Sequence, residues 1–296
     1  MRVRPATTGD VDAITQLMNA HGTAVHGESE AAPTAVLEWL EDPELVIRLG
    51  ERDGKLACYG DIMFSADGTR ANLDIREHPD APASAGPMLE ELEAIANERG
   101  ATKAWAFHAS EERELAALVR ARGYTPIRHS FRMLVRLDAA PEPAGWPEGT
   151  TVREMRESEQ RATHAAGNEA FADHWEFEPT PYERFARWNF EGANFDRSLN
   201  FLALEGDEIA GICLCSMHWS GDPRYGWVGI LGVRPPWRRR GIALALLLHS
   251  FAVFRERGCT RVGLGVDAES TTGALELYER AGMHVHRRQD TLEKLL

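Results

Sequence analysis

The spacing of apolar residues changes along the chain, and each change predicts a helix or a strand. Apolar side chains three and four positions apart predict amphipathic helices, whereas short bulky runs bounded by Gly, Pro or Asp predict strands. The first half reads as a strand at 3–4, helices at 10–18 and 33–40, hairpin strands at 45–50 and 56–64, a strand at 71–76, a helix at 88–98, a strand at 103–107, a helix at 111–122 and a strand at 131–137. This alternation predicts an α/β fold with a mixed sheet flanked by helices.

Residues 139–149 lack any periodicity and predict a linker. They read AAPEPAGWPEG, with three prolines and two glycines. After them the same order of elements returns: a strand at 151–153, helices at 158–171 and 181–190, hairpin strands at 199–204 and 209–218, a strand at 228–233, a helix at 242–257, a strand at 261–266, a helix at 272–281, and strands near 284–287 and 291–295. The sequence therefore predicts two tandem copies of one unit, residues 1–138 and 150–296.

The most informative stretch is residues 228–248 of the second copy, VGILGVRPPWRRRGIALALLL. Pro235 and Pro236 cannot continue a strand ladder, so the strand ends there and a turn leads to the helix that begins at Ile242. The first N–H groups of a helix and its dipole favour an anion. Three arginines precede Gly241, which lets the backbone approach a ligand closely. We interpret the turn as a pyrophosphate site; a solvated basic corner or a nucleic-acid patch is the alternative.

Two motifs in the second copy resemble those of the GNAT-type N-acetyltransferases. Arg238-x-x-Gly241-x-Ala243 resembles the acyl-CoA signature Q/R-x-x-G-x-G/A, and residues 274–283, ALELYERAGM, resemble A-x-x-L-Y-x-x-x-G-F. The resemblance implies two tandem GNAT folds, with acetyl-CoA as co-substrate and no metal. It also implies direct transfer of acetyl to a primary amine of a small molecule in a ternary complex.

The same resemblance implies roles for individual residues. The backbone of Leu231, Gly232 and Val233 would pair with the pantetheine arm like an added strand, and the N–H of Val233 would polarise the thioester carbonyl. Tyr278 would protonate the leaving thiolate, although a tyrosine among leucines is also typical of a core. The other implied cofactor contacts are Arg238, Arg239, Arg240, Gly241, Ile242, Ala243, Ser270, Gly273 and Ala274. Ser270 stands where the family often has Asn, and a helix N-cap is its alternative role.

The sequence leaves the general base open. Many family members place a Glu on the central strand or its neighbour, but residues 225–230 contain no carboxylate. The candidates are His218 and the acidic, aromatic loop at 173–178, DHWEFE; a water chain is a further alternative. The predicted acceptor-binding residues are Asp173, His174, Glu176 and His218. Each has a plain alternative, an exposed acidic loop for the first three and a surface histidine for the last.

The first copy has lost the motifs. The positions aligned with Arg238, Gly241, Ala243 and Tyr278 hold Asp80, Ala83, Ala85 and Val119. We therefore expect residues 1–138 to be degenerate and non-catalytic, unless that copy binds CoA through a different arrangement.

Two other functions stay open beside a general amine acetyltransferase. A CoA-binding sensor without catalysis would explain the missing strand carboxylate. Tandem copies and the sequence FADH at 171–174 also resemble the mycothiol synthase branch of the family, which acetylates the cysteine amine of a cysteinyl amino-sugar inositol.

Composition limits the partners and the compartment. A hydrophobic content of 43% is typical of a globular protein, and a net charge of −13 disfavours nucleic acid as a partner. The first residues, MRVRPATTGD, lack the apolar core of a signal peptide, and no apolar run reaches the length of a membrane span. The four cysteines show no metal-ligand spacing. We expect a cytoplasmic protein without membrane contact, as a monomer whose tandem domains form a pseudo-dimer or as a homodimer.

Overall fold

The chain divides into two compact units that are interleaved in sequence. The computed structural model describes residues 1–192, 195–270 and 272–296. Residues 1–130 and 287–296 form the first unit, and residues 131–286 form the second. These bounds differ in two places from the predicted copies, residues 1–138 and 150–296. The strand that ends the chain lies in the first unit, and residues 131–136 lie in the second.

The first unit contains the elements β1 (Arg2–Pro5), α1 (Val11–His26), α2 (Pro33–Glu41), β2 (Leu45–Arg52), β3 (Lys55–Phe64), β4 (Arg70–Glu77), α3 (Ala85–Glu98), β5 (Lys103–Ala109), α4 (Arg113–Ala121) and the first half of β6 (Thr125–Arg136). The second contains the rest of β6 with β7 (Thr150–Glu154), α5 (Gln160–Phe171), α6 (Tyr182–Phe190), β8 (Asn200–Glu205), β9 (Glu208–Ser216), β10 (Tyr225–Val233), α7 (Ile242–Glu256), β11 (Arg261–Asp267) and α8 (Ala274–Arg280). Most of β12 (His284–Leu295) belongs to the first unit.

The strand order is similar in the two units. In the first it is β1-β2-β3-β4-β5-β12, and only β4 and β5 run parallel. In the second it is β7-β8-β9-β10-β11-β6, where β7 to β10 form antiparallel pairs and β10 runs parallel to β11. Each unit therefore contains a mixed sheet with a parallel pair near its middle, β4–β5 in the first and β10–β11 in the second. The carboxyl ends of such a pair are where ligands usually bind.

One ion pair recurs at the same place in both copies. Arg4 on β1 binds Asp10 at 2.7 Å, and Arg153 on β7 binds Glu159 at 2.5 Å. Each carboxylate also accepts the N–H of the residue three positions before it, at 2.8 Å in both copies. These pairs close the turn between the first strand and the first helix of each copy, which supports the internal repeat.

Helices cover both faces of the second sheet, so its central strands are apolar on both sides. Phe201 and Cys213 pack in the cluster that contains α7, whereas Leu202 and Ile212 pack in the cluster that contains α5 and α6. Gly232 lets α5 approach β10, because a Cβ there would lie 3.0 Å from a side-chain carbon of that helix. Within the described ranges, no helix is both long and apolar enough to cross a membrane.

Candidate active site

A gap opens between the two parallel strands of the second unit. β10 and β11 pair only from Tyr225–Val228 with Arg261–Leu264. The register of β10 with β9 shifts between Val228 and Ile230, and β10 then continues to Val233 beside β9 alone. Within the described chain, the edge of residues 229–233 that faces β11 therefore has no strand partner.

Backbone polar groups at this edge point into the gap. The N–H of Arg234 donates to the carbonyl of Ala210 on the β9 side at 3.0 Å. Successive residues of a strand direct their N–H groups to opposite sides, so the N–H groups of Val233 and Leu231 point away from β9. The predicted pairing of this strand with an extended ligand therefore has the donors that it needs.

The turn between β10 and α7 presents a second set of donors. After a single 3-10 turn at Pro235–Trp237, Arg239 has a φ of 62° and Gly241 a φ of 88°, both left-handed. Gly241 is the N-cap of α7, so the first N–H groups of the helix face outward beside it. A Cβ on Gly241 would meet no atom within 4 Å. The turn is thus an open cradle of N–H donors at the positive end of a helix.

Both sets of donors border one cavity of about 480 Å³, a size typical of a small-molecule site. Eleven of the twelve predicted cofactor contacts line it, and the exception is Arg240. The eleven are Leu231, Gly232, Val233, Arg238, Arg239, Gly241, Ile242, Ala243, Ser270, Gly273 and Ala274. Tyr278 and His174 line the same cavity.

The three arginines of the turn differ in their partners. Arg238 makes a bidentate ion pair with Asp173, at 2.6 and 2.9 Å. Arg240 donates to both oxygens of Glu205, and one of these also accepts the indole N–H of Trp237 at 2.7 Å. Arg239 is exposed and makes no hydrogen bond or ion pair with any other residue that the structure describes. Arg239 is therefore the guanidinium of the turn that is available to a ligand.

Tyr278 is almost buried, with 8% of its surface exposed, yet it borders the cavity. Burial, with a smaller contribution from Cys213, raises the pKa of Tyr278 to about 12. The phenol is therefore protonated at neutral pH and can act as a proton donor. Its hydroxyl makes no hydrogen bond to the rest of the described chain, which leaves it free for a ligand.

The four predicted acceptor-binding residues occupy different places. His174 lines the cavity, and its ring packs edge-on against Phe171 at 4.7 Å. Burial lowers the pKa of His174, so the imidazole is neutral at pH 7. Asp173 pairs with Arg238, Glu176 is exposed with a φ of 50°, and His218 is exposed with a φ of 62°. None of these three lines the cavity.

Two carboxylates of the cavity were not predicted from the sequence. Asp267 ends β11, and Glu276 lies on α8 two positions before Tyr278. Asp267 directly follows the strand predicted at 261–266, and the carboxyl ends of strands are where α/β sheets usually carry their sites. Glu276 lies in the first turn of α8 and lines the cavity together with Tyr278, although residues two positions apart on a helix do not share a face. Across the described residues, no three His, Cys, Asp or Glu side chains are grouped to hold a metal ion.

The corresponding turn of the first unit is already filled. The carboxylate of Glu77, at the end of β4, accepts the N–H groups of Ser84 and Ala85 at 2.5 and 2.7 Å, at the start of α3. The position aligned with Tyr278 holds Val119, which is 2% exposed. The helix donors that could bind an anion in this unit are therefore occupied by the protein's own carboxylate.

Comparisons with known proteins identify relatives of the chain. The profile of the Acetyltransferase (GNAT) family matches residues 154–283. Mycothiol acetyltransferase from Salinispora arenicola is 31% identical over 243 residues, which are 78% of this chain and 75% of that protein. Its namesake from Salinispora tropica is 34% identical over 246 residues, with coverage of 78% and 75%.

Solved structures are similar over the whole chain. A GCN5-related N-acetyltransferase from Sphaerobacter thermophilus is 32% identical, with a TM-score of 0.81 and coverage of 99% of this chain and 95% of that one. A tandem GNAT protein from the clavulanic acid biosynthesis pathway is 14% identical and shares the fold, with a TM-score of 0.79 and coverage of 99% and 98%. The predicted family and fold class are confirmed.

Proposed function

The chain belongs to the acetyltransferase (GNAT) family, and from this we propose that its second unit transfers acetyl from acetyl-CoA to the primary amine of a small molecule. One observation carries the proposal. The free edge of β10 leads directly to the N–H cradle before α7, and Tyr278 borders the same cavity. An extended thioester with a pyrophosphate at one end fits that arrangement.

Residues of this cavity would hold the co-substrate as follows. The N–H groups from Gly241 onward and the guanidinium of Arg239 bind the pyrophosphate by charge and by helix dipole. The backbone N–H groups of Leu231 and Val233 bond the pantetheine arm, as a sheet edge bonds an added strand. Acetyl-CoA supplies the activated thioester, and the N–H of Val233 stabilises the oxyanion that forms on its carbonyl.

Two side chains move the protons. An alkyl ammonium with a pKa near 10 must lose a proton before it can attack. We assign that proton to the neutral ring of His174, which lines the cavity. Tyr278 donates its phenolic proton to the thiolate that leaves. In this proposal acetyl passes directly from the thioester to the amine within a ternary complex, without a covalent enzyme intermediate.

The first unit is proposed to be non-catalytic. Glu77 occupies its helix donors, and Val119 stands in the position of the phenol. Its contribution is then structural, and acetyl-CoA binds once per chain.

The acceptor class rests on the relatives and on the carboxylates of the cavity. Asp267 and Glu276 line it, and their negative charge suits a cationic amine. Because two relatives are mycothiol acetyltransferases, the first acceptors to test are cysteine amides of amino sugars, beside glucosamine and simple cysteine esters. The absence of a carboxylate from residues 225–230 keeps a CoA-binding sensor without catalysis as the second candidate.

Calorimetry and a thiol-release assay separate these functions. The full chain is titrated with acetyl-CoA, and then CoA release is measured with each amine of the panel. One site per chain and steady, amine-dependent release support the proposal. Tight binding without release from any amine supports the sensor, and a chain that does not bind acetyl-CoA at all contradicts both.

A further inference from the structure

Arg238 joins three parts of the second unit. A guanidinium has five N–H donors in a planar fork. Arg238 directs one bond from Nε to the carbonyl of Val233 at 3.2 Å, two to the carboxylate of Asp173, and one from Nη2 to the carbonyl of Ala170 at 3.1 Å. Its side chain therefore connects the end of β10 with the end of α5 and with the loop that follows α5.

Each of these contacts has a physical reason. Ala170 lies in the last turn of α5, where carbonyl groups have no partner in the helix and a cation is favourable. Planar bidentate pairing with a carboxylate fixes direction as well as distance. The hydrogen bonds to Arg238 lower the pKa of Asp173, so this carboxylate is charged at neutral pH.

The ion pair is too exposed to matter much for overall stability. The side chains of Arg238 and Asp173 are 27% and 53% exposed, and pairs in such positions contribute little to global unfolding. Their effect is local, because His174 follows Asp173 directly and its N–H donates to Phe171 at 2.9 Å. The pair thus fixes the short segment that places His174 in the cavity.

Building on the proposed function, we propose that Arg238 and Asp173 are a positioning pair, which holds the loop after α5 against the phosphate-binding turn and so places His174 opposite the bound thioester. Arg238 is then not the phosphate ligand, a role that belongs to the backbone of the turn and to Arg239. Asp173 is not a ligand of the amine either. Because the pair links the two segments, acceptor binding depends on the conformation of the turn between β10 and α7.

The second unit offers a matched control one helical turn away. Glu169, four positions before Asp173, binds Arg234 at 2.6 Å and also ties α5 to the end of β10. Its side chain is 41% exposed, and neither Glu169 nor Arg234 lines the cavity. Glu169→Gln therefore breaks an α5 ion pair of similar exposure without touching the loop.

The test compares Asp173→Asn, Arg238→Gln, the double variant and Glu169→Gln in the full chain. Hydrogen exchange of residues 170–178 is measured without ligand, and acetyl-CoA affinity is measured by calorimetry. The KM values for acetyl-CoA and for the best amine of the panel follow. We expect each single variant at the pair to speed exchange in this segment about tenfold or more, since local opening controls it. The double variant should be no worse than either single variant, and Glu169→Gln should change exchange less than threefold.

The kinetic pattern is specific to positioning. Both single variants should raise the KM for the amine and lower kcat by similar factors, while acetyl-CoA affinity changes less than threefold. If Asp173→Asn tightens acetyl-CoA and Arg238→Gln weakens it tenfold, Arg238 binds phosphate and the proposal is wrong. If only Asp173→Asn raises the KM for the amine, Asp173 contacts the acceptor directly, and the proposal is also wrong.

Failure of the proposed function would be recognised separately. A wild-type chain that does not bind acetyl-CoA contradicts the acetyltransferase proposal, whereas hydrogen exchange in the ligand-free chain still tests the pair. Unchanged exchange in both single variants overturns the positioning pair even when acetyl transfer is observed.

Discussion

The substitution Gly241→Ala tests two properties of the turn between β10 and α7 separately: its backbone strain and its proposed role in binding pyrophosphate. Gly241 begins α7 with a φ of 88°, and a Cβ there would meet no atom within 4 Å. Gly258 lies just beyond the other end of the same helix, with a φ of 87° and equally open surroundings. The two positions are therefore matched in conformation and in space, and only Gly241 lines the cavity.

The cost to stability should be equal at the two positions. An L-residue in the left-handed region costs about 1–2 kcal/mol. For a unit of this size, each kcal/mol lowers the melting temperature by about 2–4 °C. We expect Gly241→Ala and Gly258→Ala to lower the Tm of the second unit by the same few degrees.

The cost to binding should differ. The new methyl group of Gly241→Ala projects into the space where a pyrophosphate oxygen would approach the N–H groups. Loss of one charge-assisted hydrogen bond costs about 1.5–3 kcal/mol, which corresponds to a 10- to 150-fold weaker Kd for acetyl-CoA. Gly258→Ala adds the same strain far from the cavity and should leave the Kd unchanged.

Thermal unfolding and calorimetric titration of both variants with acetyl-CoA measure the two effects. Equal Tm values with a Kd that is weaker only in Gly241→Ala support the assignment of the anion site. Equal acetyl-CoA affinities in the two variants would refute it, because the turn would then not contact the phosphates. A much lower Tm for Gly241→Ala alone would show that the site is more crowded than its geometry indicates.

Three further outcomes are expected. Tyr278→Phe should lower kcat at least tenfold and leave acetyl-CoA affinity unchanged; a full-rate variant would make this phenol a packing residue only. Arg239→Gln should weaken acetyl-CoA more than Arg240→Gln does, because only the latter guanidinium is held by a carboxylate of the protein, and equal losses in calorimetry would contradict that distinction. Hydrogen bonds from Arg153 lower the pKa of Glu159 from 4.5 to about 2, so the ion pair stabilises the fold fully above pH 4.5 and loses this effect as the pH falls through about 2; urea midpoints of Glu159→Gln should therefore differ from wild type at pH 5 and approach it as the pH falls to about 2.

The strand–turn–helix at the site could be predicted because its signals are local. An apolar run, two prolines, a glycine and a second apolar run lie within residues 228–248, and each acts on its own neighbours. The observed strand Tyr225–Val233 and helix Ile242–Glu256 follow that pattern closely. Local patterns also located the repeat, since the order of elements does not depend on tertiary contacts.

The gap in the sheet could not be predicted in the same way. It depends on where β10 stops pairing with β11 and on a register shift beside β9. Strand register is a property of the whole sheet and of a bulge that no single residue marks. The sequence therefore identified the residues at the edge without the reason that their N–H groups are free.

The ion-pair partners of Arg238 and Arg240 could not be predicted from the sequence either. RRRG reads as three equivalent cations, but Arg238 and Arg240 bind carboxylates 65 and 35 positions away. Asp173 follows α5 and Glu205 ends β8. No sequence feature near either acid indicates that it pairs with an arginine of this turn. Only the fold shows that one arginine of the three faces the cavity without a partner among the described residues.

The strand-to-helix turn that contains Ala83 in the first unit and Gly241 in the second differs in what accepts its N–H groups. Ala83, aligned with Gly241, keeps a left-handed φ of 62° although it has a Cβ, so the first unit retains the shape of the turn. Such a conformation is unfavourable for alanine, and it is stabilised there by Glu77, whose carboxylate binds the N–H groups that follow. The second unit has Pro235 and arginines after its strand instead of such an acid, and its donors stay open. Both units thus have a turn that presents N–H groups at the start of a helix. Glu77 accepts them in the first unit, and in the proposed function the pyrophosphate of acetyl-CoA does so in the second.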